Sequence, residues 1–227
     1  MSSRPDLRLD WCSYEAAKYA VEHWHYSRSL PAFKTVRIGV WEDGVFVGVV
    51  LFGVGANSNL HSPFSLQRHE VCELVRVALR DHRSPVSRII AIAIRLLRRQ
   101  SPGLRLVVSY ADTARRHYGG IYQAGGWVYT GPTDADKLYL VRGKWVHHRQ
   151  ASSLMGSIVG LPSRSSSVKH KYLMPLDDDM RRRIASLAKP YPKRSTRGTG
   201  ETDSAPGSNR EIGGASPTVP LLPEGDD

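Results

Sequence analysis

Apolar positions in the amino-terminal part of the chain recur first at the spacing of a helix and then at that of strands. A helical face covers residues 16–24, and Ser13 precedes it as a suitable N-cap. Two β-rich runs, residues 36–41 and 46–52, flank the turn signal at 42–44. The pattern therefore predicts a helix followed by a β-hairpin.

The next part of the pattern predicts a strand, a helix and a second strand between residues 71 and 112. An apolar run at 71–79 leads to a turn in which Ser84 is expected as N-cap and Pro85 as first helical residue. A short apolar run at 104–110 indicates a buried strand. Between them, one apolar stripe on a helix comprises Val86, Ile89, Ile90, Ala93, Ile94 and Leu97.

Shorter elements follow, with a helix near residues 121–124, strands at 127–129 and 138–141, and a hairpin into 144–146. Residues 55–63 lack periodicity and indicate a long exposed loop. The order of elements predicts an α/β (α+β) fold, with a mixed, mostly antiparallel sheet and a central strand-helix-strand crossover.

The apolar pattern fades near residue 152, which suggests a boundary. We expect residues 1–150 to form the catalytic domain and residues 151–192 a basic extension that packs on or near it. Residues 193–227 are rich in Gly, Ser, Pro and Thr, a composition typical of a disordered tail.

Composition narrows the choice of partner and compartment. The 227 residues include 32 Lys and Arg against 21 Asp and Glu, a net charge of +11 that favours a polyanion such as nucleic acid. A solvated basic face is the alternative. Two distant cysteines indicate neither a disulfide framework nor a thiolate cluster. No apolar run resembles a signal peptide or a membrane span, so we expect a soluble cytoplasmic protein.

The turn before the central helix could bind an anion. Helix amino termini at the carboxyl ends of strands attract phosphates, although an ordinary capped helix on a basic surface would look the same. The expected cofactor-binding residues are Arg83, Ser84, Val86, Ser87 and Arg88.

This succession of elements, ending in Ile-Tyr-Gln-Ala-Gly-Gly-Trp at 121–127, resembles the core of GNAT acyltransferases. In that superfamily the matching tyrosine, here Tyr122, often protonates the departing thiolate. The superfamily also has glycines in the phosphate loop, where this chain has Ser84 to Arg88. That departure favours a donor other than ordinary coenzyme A.

Five motifs occur in order along the chain: His25-Tyr26-Ser27-Arg28-Ser29-Leu30-Pro31, Ile38-Gly39-Val40-Trp41-Glu42, Gly55-Ala56-Asn57, 72–79 and Val108-Ser109-Tyr110-Ala111-Asp112. Together they resemble the Mom DNA-modification proteins of phages and prophages. The resemblance implies conversion of adenine in DNA to an N6-carbamoylmethyl (acetamido-type) base, which protects phage DNA from restriction in a bacterial host. The implied donor is an acyl or aminoacyl group, from acetyl-coenzyme A or glycyl-tRNA, and iron is compatible with the family.

The same residues suit the chemistry. The N6 amine of adenine is a poor nucleophile, so it needs a base and an oriented electrophile. Asp112 at a strand end is the candidate base, although an Asp there often caps a turn. Arg76 could hold developing negative charge, or form a structural ion pair. It lies three residues from Glu73, on the opposite strand face unless a bulge intervenes. The remaining candidates are Tyr122, Ser109, His25, Tyr26 and Ser27, with His25 also the candidate metal ligand.

An adenine inside duplex DNA is unreachable, so this activity requires base flipping and basic residues that hold the DNA. Each basic cluster could equally be a solvated loop. A tRNA donor and a homodimer are compatible with the sequence. The candidate DNA-binding residues are Arg115, Arg116, Tyr118, Arg149, Lys169 and Lys171.

Two other functions remain open. One is a coenzyme-A-dependent N-acetyltransferase that acts on another acceptor, and the other is a DNA-binding module without catalysis. A cationic acceptor would require acidic pocket residues, whereas the candidate site is mostly basic.

Overall fold

A computed structural model describes residues 4–57 and 59–193. Within these ranges, no helix is long and apolar enough to cross a membrane. The strands are β1 (Leu7–Trp11), β2 (Thr35–Glu42), β3 (Val45–Gly53), β4 (Val71–Leu79), β5 (Leu106–Asp112), β6 (Val128–Pro132), β7 (Lys137–Val141), β8 (Lys144–His147), β9 (Ser163–Ser165) and β10 (Lys169–Pro175). The helices are α1 (Tyr14–Trp24), α2 (Val86–Gln100), α3 (Gly120–Ala124), α4 (His148–Met155) and α5 (Asp178–Ile184).

The main sheet has seven strands in the order β1-β2-β3-β4-β5-β10-β6. Its neighbouring strands are antiparallel except for β4 and β5, which are parallel and joined through α2. The expected fold class, a mixed and mostly antiparallel sheet with a central strand-helix-strand crossover, is confirmed. The carboxyl ends of β4 and β5 therefore lie at the same edge of the sheet.

Helices cover both faces of this sheet. On β3, Val50 and Phe52 pack in the same cluster as the α2 stripe, whereas Val49 and Leu51 pack against α1. Since successive strand residues point to opposite faces, α1 and α2 lie on opposite sides. The buried stripe of α2 consists of the six residues that the periodicity predicts.

Helix and hairpin predictions in the first half of the chain are confirmed, with two corrections. Ser13 caps α1 by accepting a hydrogen bond from the Ala16 N–H. The N-cap of α2 is Pro85 rather than Ser84, because Pro85 keeps an extended backbone and the helix begins at Val86. The expected loop at 55–63 is not fully exposed, since Leu60 is buried against Phe64 and Leu66.

The expected boundary at residue 150 does not match the sheet. Strand β10 pairs antiparallel with both β5 and β6, so residues 151–192 supply a strand inside the main sheet rather than an extension packed on it. Tyr172 and Leu173 of β10 are fully buried, and each packs in a different hydrophobic core cluster. Of the expected tail, residues 194–227 lie outside the described residues.

A second, smaller sheet in the order β8-β7-β9 is inserted between β6 and β10. Strands β8 and β9 both pair antiparallel with β7, and α4 packs against β7 and β8. We call residues 134–168 the arm. The sequence indicated the β7–β8 hairpin but neither α4 nor β9.

Candidate active site

The parallel pair at the centre of the sheet separates along its length. Strands β4 and β5 are in register at Val71 with Leu106, Cys72 with Val107 and Glu73 with Val108, although both continue further. Beyond this point the Ser109 hydroxyl donates to the Leu74 carbonyl at 2.9 Å and links the two strands. A cavity opens where they separate.

A β-bulge on β4 shapes this cavity. Leu51 of β3 faces Arg76 while the adjacent Phe52 faces Leu74, so Val75 is an extra residue on β4. The extra residue places Glu73 and Arg76 on the same face of the strand. In a regular strand, residues with this spacing would lie on opposite faces. Burial raises the pKa of Glu73 to about 7, while the charges of Lys169 and Arg76 lower it. Glu73 is a half-buried acid beside the site that the sequence analysis did not select.

The cavity gathers residues from distant parts of the chain. The end of α1, strands β4 and β5, the turn after β5 and α3 all contribute to its walls. Most of the predicted catalytic residues meet here, and His117, which follows the turn after β5, joins them. The lining comprises His25, Tyr26, Leu74, Val75, Arg76, Val77, Tyr110, Ala111, Asp112, His117 and Tyr122.

His25 is the C-cap of α1 and is 3% exposed. Its Nδ1 accepts the Ser27 backbone N–H at 3.1 Å and lies 2.7 Å from the Ser27 hydroxyl. A backbone N–H can only donate, so the proton of the neutral ring lies on Nε2. Burial, together with the charges of Arg76 and His117, lowers the pKa of His25 to about 3. His25 is therefore neutral at physiological pH.

Tyr26 is half-buried between cationic and aromatic neighbours. Its ring lies 4.3 Å from that of His25, and the Arg115 guanidinium lies over it at 5.2 Å. Burial raises the pKa of Tyr26, and the Arg76 charge opposes this shift. The ring thus presents a neutral aromatic surface at the cavity.

Tyr122 and Ser109 form a buried chain of hydrogen bonds. The two hydroxyl oxygens lie 2.8 Å apart, and the Ser109 oxygen is 2.9 Å from the Leu74 carbonyl. A carbonyl can only accept, so Ser109 donates to Leu74 and accepts from Tyr122. Burial raises the pKa of Tyr122 well above its ordinary value. Its phenol is therefore a proton donor and not a base.

Asp112 caps a turn, one of the two roles that the sequence left open, and it also lines the cavity. Its Oδ1 accepts the Ala114 N–H at 2.9 Å and the Ser167 hydroxyl at 3.1 Å, so it caps the turn after β5 while it lines the cavity. Within the described ranges, both of its hydrogen bonds use Oδ1.

Arg76 carries an unusual buried donor. Its Nη1 donates to the carbonyl of its neighbour Val75 at 2.8 Å, but its Nε is buried and has no hydrogen-bond partner among the described residues. A buried N–H without a partner is costly and therefore uncommon. Because Arg76 lines the cavity, this donor suits an oxygen atom of a bound molecule.

The expected phosphate turn is occupied from within the protein. Glu42 is 5% exposed and accepts the Arg83 N–H at 2.7 Å on Oε2 and the Ser84 N–H at 2.7 Å on Oε1. Burial alone would raise the pKa of Glu42, but hydrogen bonds from Ser84 and Arg83 outweigh it and the pKa lies below its ordinary value. The Arg83 guanidinium pairs with Asp43. A pyrophosphate at this turn would meet two carboxylates, so the residues do not fit that group.

The remaining predicted cofactor contacts are also partly engaged. The Arg88 N–H donates to the Pro85 carbonyl at 3.0 Å, and the Val86 side chain is buried in the core. Ser87 is half-buried in the first turn of α2. None of these residues lines the cavity at Arg76 and Asp112.

The predicted DNA-binding residues have different surroundings. Arg115 and Arg116 lie in the turn beside the cavity, and Lys169 is the strand partner of Asp112. Tyr118 is held through its carbonyl, which accepts from Gln123 and Tyr172. The Lys171 amine is half-buried and 5.0 Å from the Phe64 ring. The side chain of Arg149 lies outside the described residues.

A metal ion finds little to bind here. The described ranges contain no group of three or more His, Cys, Asp or Glu side chains that could hold one. His25, the predicted metal ligand, shares the cavity with Asp112 and His117, but these side chains do not form such a group in this structure.

The seven-stranded sheet, mostly antiparallel with one parallel pair that opens onto a polar cavity, defines a mixed α/β fold. The chain belongs to the Mom protein family, whose sequence model matches residues 6–193. It is 28% identical over 204 residues to the methylcarbamoylase Mom of Escherichia phage Mu, covering 83% of this chain and 84% of that protein. The family resemblance read from the sequence is therefore confirmed.

Solved structures with some similarity include acetyltransferases. Spermidine/spermine N-acetyltransferase SpeG from Vibrio cholerae has a TM-score of 0.42 and 10% identity, over 78% of this chain and 96% of that one. A probable acetyltransferase of the GNAT family from Chromobacterium violaceum has a TM-score of 0.40 and 14% identity, over 77% of this chain and 84% of that one.

Proposed function

We propose that this protein modifies DNA by converting adenine to N6-carbamoylmethyl adenine, which shields phage DNA from restriction. The cavity between β4 and β5 carries the proposal, because it brings a carboxylate, a phenol and an arginine with an unpaired buried donor to one place. Membership of the Mom family supports it, since the phage Mu relative is named a methylcarbamoylase.

The reaction requires one bond to form and one to break. The N6 nitrogen of adenine forms a bond to the methylene carbon of the donor's CH2–CO–NH2 group, and the bond between that carbon and its leaving group breaks. N6 loses one proton to a base, and the leaving group departs with the bonding electrons and takes up a proton. No electron is gained or lost overall.

We assign the base to Asp112. Its Oδ2 can accept the N6 proton, while the hydrogen bonds to Oδ1 from Ala114 and Ser167 fix the carboxylate in place. His25 is less suited to this role, because its Nδ1 already accepts the Ser27 N–H and its Nε2 carries the ring proton. Its buried ring instead supports Tyr26, with which it is in ring contact.

We assign Arg76 and Tyr122 to the donor. The unpaired Nε of Arg76 donates to the donor's carbonyl oxygen or to its departing oxygen, where negative charge develops. Tyr122 stays protonated at neutral pH and protonates the leaving group, after turning its hydroxyl from Ser109 toward the cavity. The Ser109 bond keeps the phenol in place until then.

The adenine must leave the DNA helix to reach these groups, at a cost of roughly a few kcal/mol. Tyr26 offers an aromatic face for the flipped base, and Arg115 above its ring supplies positive charge for the adjoining phosphate. Stacking and phosphate contacts offset the cost of unstacking.

The step requires a donor of the class X–CH2–CO–NH2, where X is the leaving group. Acetyl-coenzyme A and glycyl-tRNA, the donors expected from the sequence, do not have this form. Glu42 fills the turn in which a coenzyme A pyrophosphate would be expected. We therefore derive no step through coenzyme A and place only the transferred group, beside Arg76.

Co-expression in bacteria tests the proposal. Total DNA would be taken from cells that produce the parent, Asp112→Asn or Asp178→Asn. Its nucleosides would be separated and their masses measured by mass spectrometry. Asp178 is an exposed residue on α5 and serves as the matched control. We expect modified adenine with the parent and the control, and a loss of about 100-fold or more with Asp112→Asn.

Modified adenine at equal levels with Asp112→Asn would remove the proposed base. Unmodified adenine with soluble parent protein would contradict the function itself. In that case, DNA binding without product would point to a non-catalytic DNA-binding module, and transfer from acetyl-coenzyme A to a small amine would point to an N-acetyltransferase.

A further inference from the structure

The arm extends the main sheet at the end where the cavity lies. Lys169 at the start of β10 pairs with Asp112 at the end of β5, and His170 pairs with Pro132 at the end of β6. The antiparallel pairing then continues outward, since Ser166 and Asp136 exchange hydrogen bonds and Leu138 faces Arg164. The arm therefore leaves the domain beside Asp112.

Contacts tie the base of the arm directly to the cavity. The Ser167 hydroxyl donates to Asp112 Oδ1 at 3.1 Å, and the Thr113 hydroxyl donates to the Val168 carbonyl at 2.7 Å. Whatever the arm binds must therefore lie next to the proposed reaction centre.

The two faces of the arm differ. Alternate residues of a strand share a face, and so do residues directly opposite in an antiparallel ladder. Tyr139 and Val141 therefore lie on one side, which α4 covers through His148 and the fully buried Ala151. By the same register the other side carries Leu138, Leu140, Trp145, His147 and Arg164.

An aromatic and cationic pair marks this second face. The Arg164 guanidinium lies 4.5 Å from the centre of the Trp145 ring, and Trp145 is 37% exposed. An exposed tryptophan under an arginine is well suited to nucleic acid, because it offers both stacking and phosphate contact.

The charge of the arm has the sign that DNA requires. It contains five Lys and Arg residues against two Asp residues, and the two acids both lie at its base. Lys137, Arg142 and Lys144 are exposed along β7 and the β7–β8 turn. The arm is thus a basic projection adjoining the cavity.

We propose that the arm is a DNA-binding element that holds the sugar-phosphate backbone beside the target adenine, with the Trp145 and Arg164 face toward the DNA. This inference rests on the proposed function, which makes DNA the substrate. A five-residue strand spans about 17 Å, close to the width of a DNA duplex. The arm therefore contacts phosphates that the cavity residues do not reach.

A salt titration tests the arm separately from catalysis. The binding of a fluorescent duplex would be measured by anisotropy, over a range of KCl concentrations, for the parent and for Arg142→Gln combined with Arg164→Gln, an exposed residue of the β7–β8 turn and one of the Trp145 face. The matched control is Arg98→Gln combined with Arg99→Gln, two exposed residues at the end of α2 that precedes β5, away from Asp112.

We expect the arm variant to bind about tenfold more weakly near physiological salt, and its logarithmic salt slope to fall by about 2, one for each lost phosphate contact. The control should bind like the parent. Equal affinity and slope in the arm variant and the control would overturn the proposal. Nucleoside masses from the parent report the activity independently, so weakened binding without any modified adenine would retain the arm and reject the proposed function.

Discussion

The cavity and the arm adjoin each other, yet their chemical character is opposite. In the cavity, His25 and Tyr122 are buried and neutral, and Arg76 has a buried donor without a partner. On the arm, Trp145, Lys144 and Arg164 are exposed to solvent. Buried groups interact strongly and specifically in a low dielectric, whereas exposed cations interact weakly and depend on salt. The proposed chemistry and the proposed DNA contacts therefore lie in separate parts of this protein.

The largest expected effect is that of a change at Arg76, which should slow the modification of adenine and leave DNA binding almost unchanged. Replacing Arg76 with Met removes the buried Nε donor that would face developing charge, so we expect modified adenine to form about 100-fold to 1000-fold more slowly. Duplex affinity should change less than about twofold, because the side chain lies inside the cavity. Single-turnover modification and anisotropy on the same samples measure both. Modification at the parent rate by Arg76→Met would remove Arg76 from the chemistry.

The burial of His25 should appear in the pH dependence of stability. Its pKa of about 3 in the folded protein lies below the ordinary 6.5, so the unfolded chain binds more protons between these values. The contribution of His25 to the free energy of unfolding is therefore complete above pH 6.5. It is lost as the pH drops toward 3, by roughly 3 kcal/mol at pH 4. Urea unfolding should show a shallower pH slope for His25→Gln than for the parent.

The control for this slope is His69→Gln, a change at an exposed histidine. Parent-like slopes in both variants would show that His25 gains its proton in the folded protein as readily as in the unfolded chain. That result would contradict the neutral, buried cavity.

A further prediction concerns the turn at Arg83 and Ser84, which lies outside the cavity and which Glu42 stabilises. In Glu42→Ala the Arg83 and Ser84 N–H groups lose their buried acceptor, so we expect the free energy of unfolding to fall by about 2 kcal/mol. Glu42→Gln retains one acceptor oxygen and should lose about half as much. Urea unfolding at neutral pH measures the difference, and equal losses in both variants would contradict the two-bond arrangement.

The smallest effect is expected on the arm. Trp145→Ala removes the exposed ring that Arg164 covers, so duplex affinity should fall about fivefold while the salt slope stays unchanged. Anisotropy across the KCl series checks both quantities. A changed salt slope with unchanged affinity would mean that Trp145 only positions Arg164.

Local patterns predicted the elements whose periodicity is strong. The stripe of α2 and the hairpin of β2 and β3 depend on spacing within one segment, and a sequence shows that spacing directly. Strand β10 was missed because its charged start at Lys169 hides the buried Tyr172 and Leu173, and its partners β5 and β6 are distant in sequence.

The residues of the site were easier to name than to arrange. Family motifs pointed to His25, Asp112 and Tyr122, and these line one cavity. The bulge at Val75 exists only relative to β3, so no spacing within β4 reveals it. The occupation of the Ser84 turn by Glu42 likewise joins residues 42 positions apart.

The exact mass of the modified nucleoside tests the central claim most directly. DNA from cells that produce the parent would be digested to nucleosides, and the intact masses of the adenine nucleosides would be measured by mass spectrometry. We predict deoxyadenosine that carries a carbamoylmethyl group, which contains one nitrogen more than an acetyl group. Unmodified deoxyadenosine, or deoxyadenosine with only an acetyl group, would contradict it.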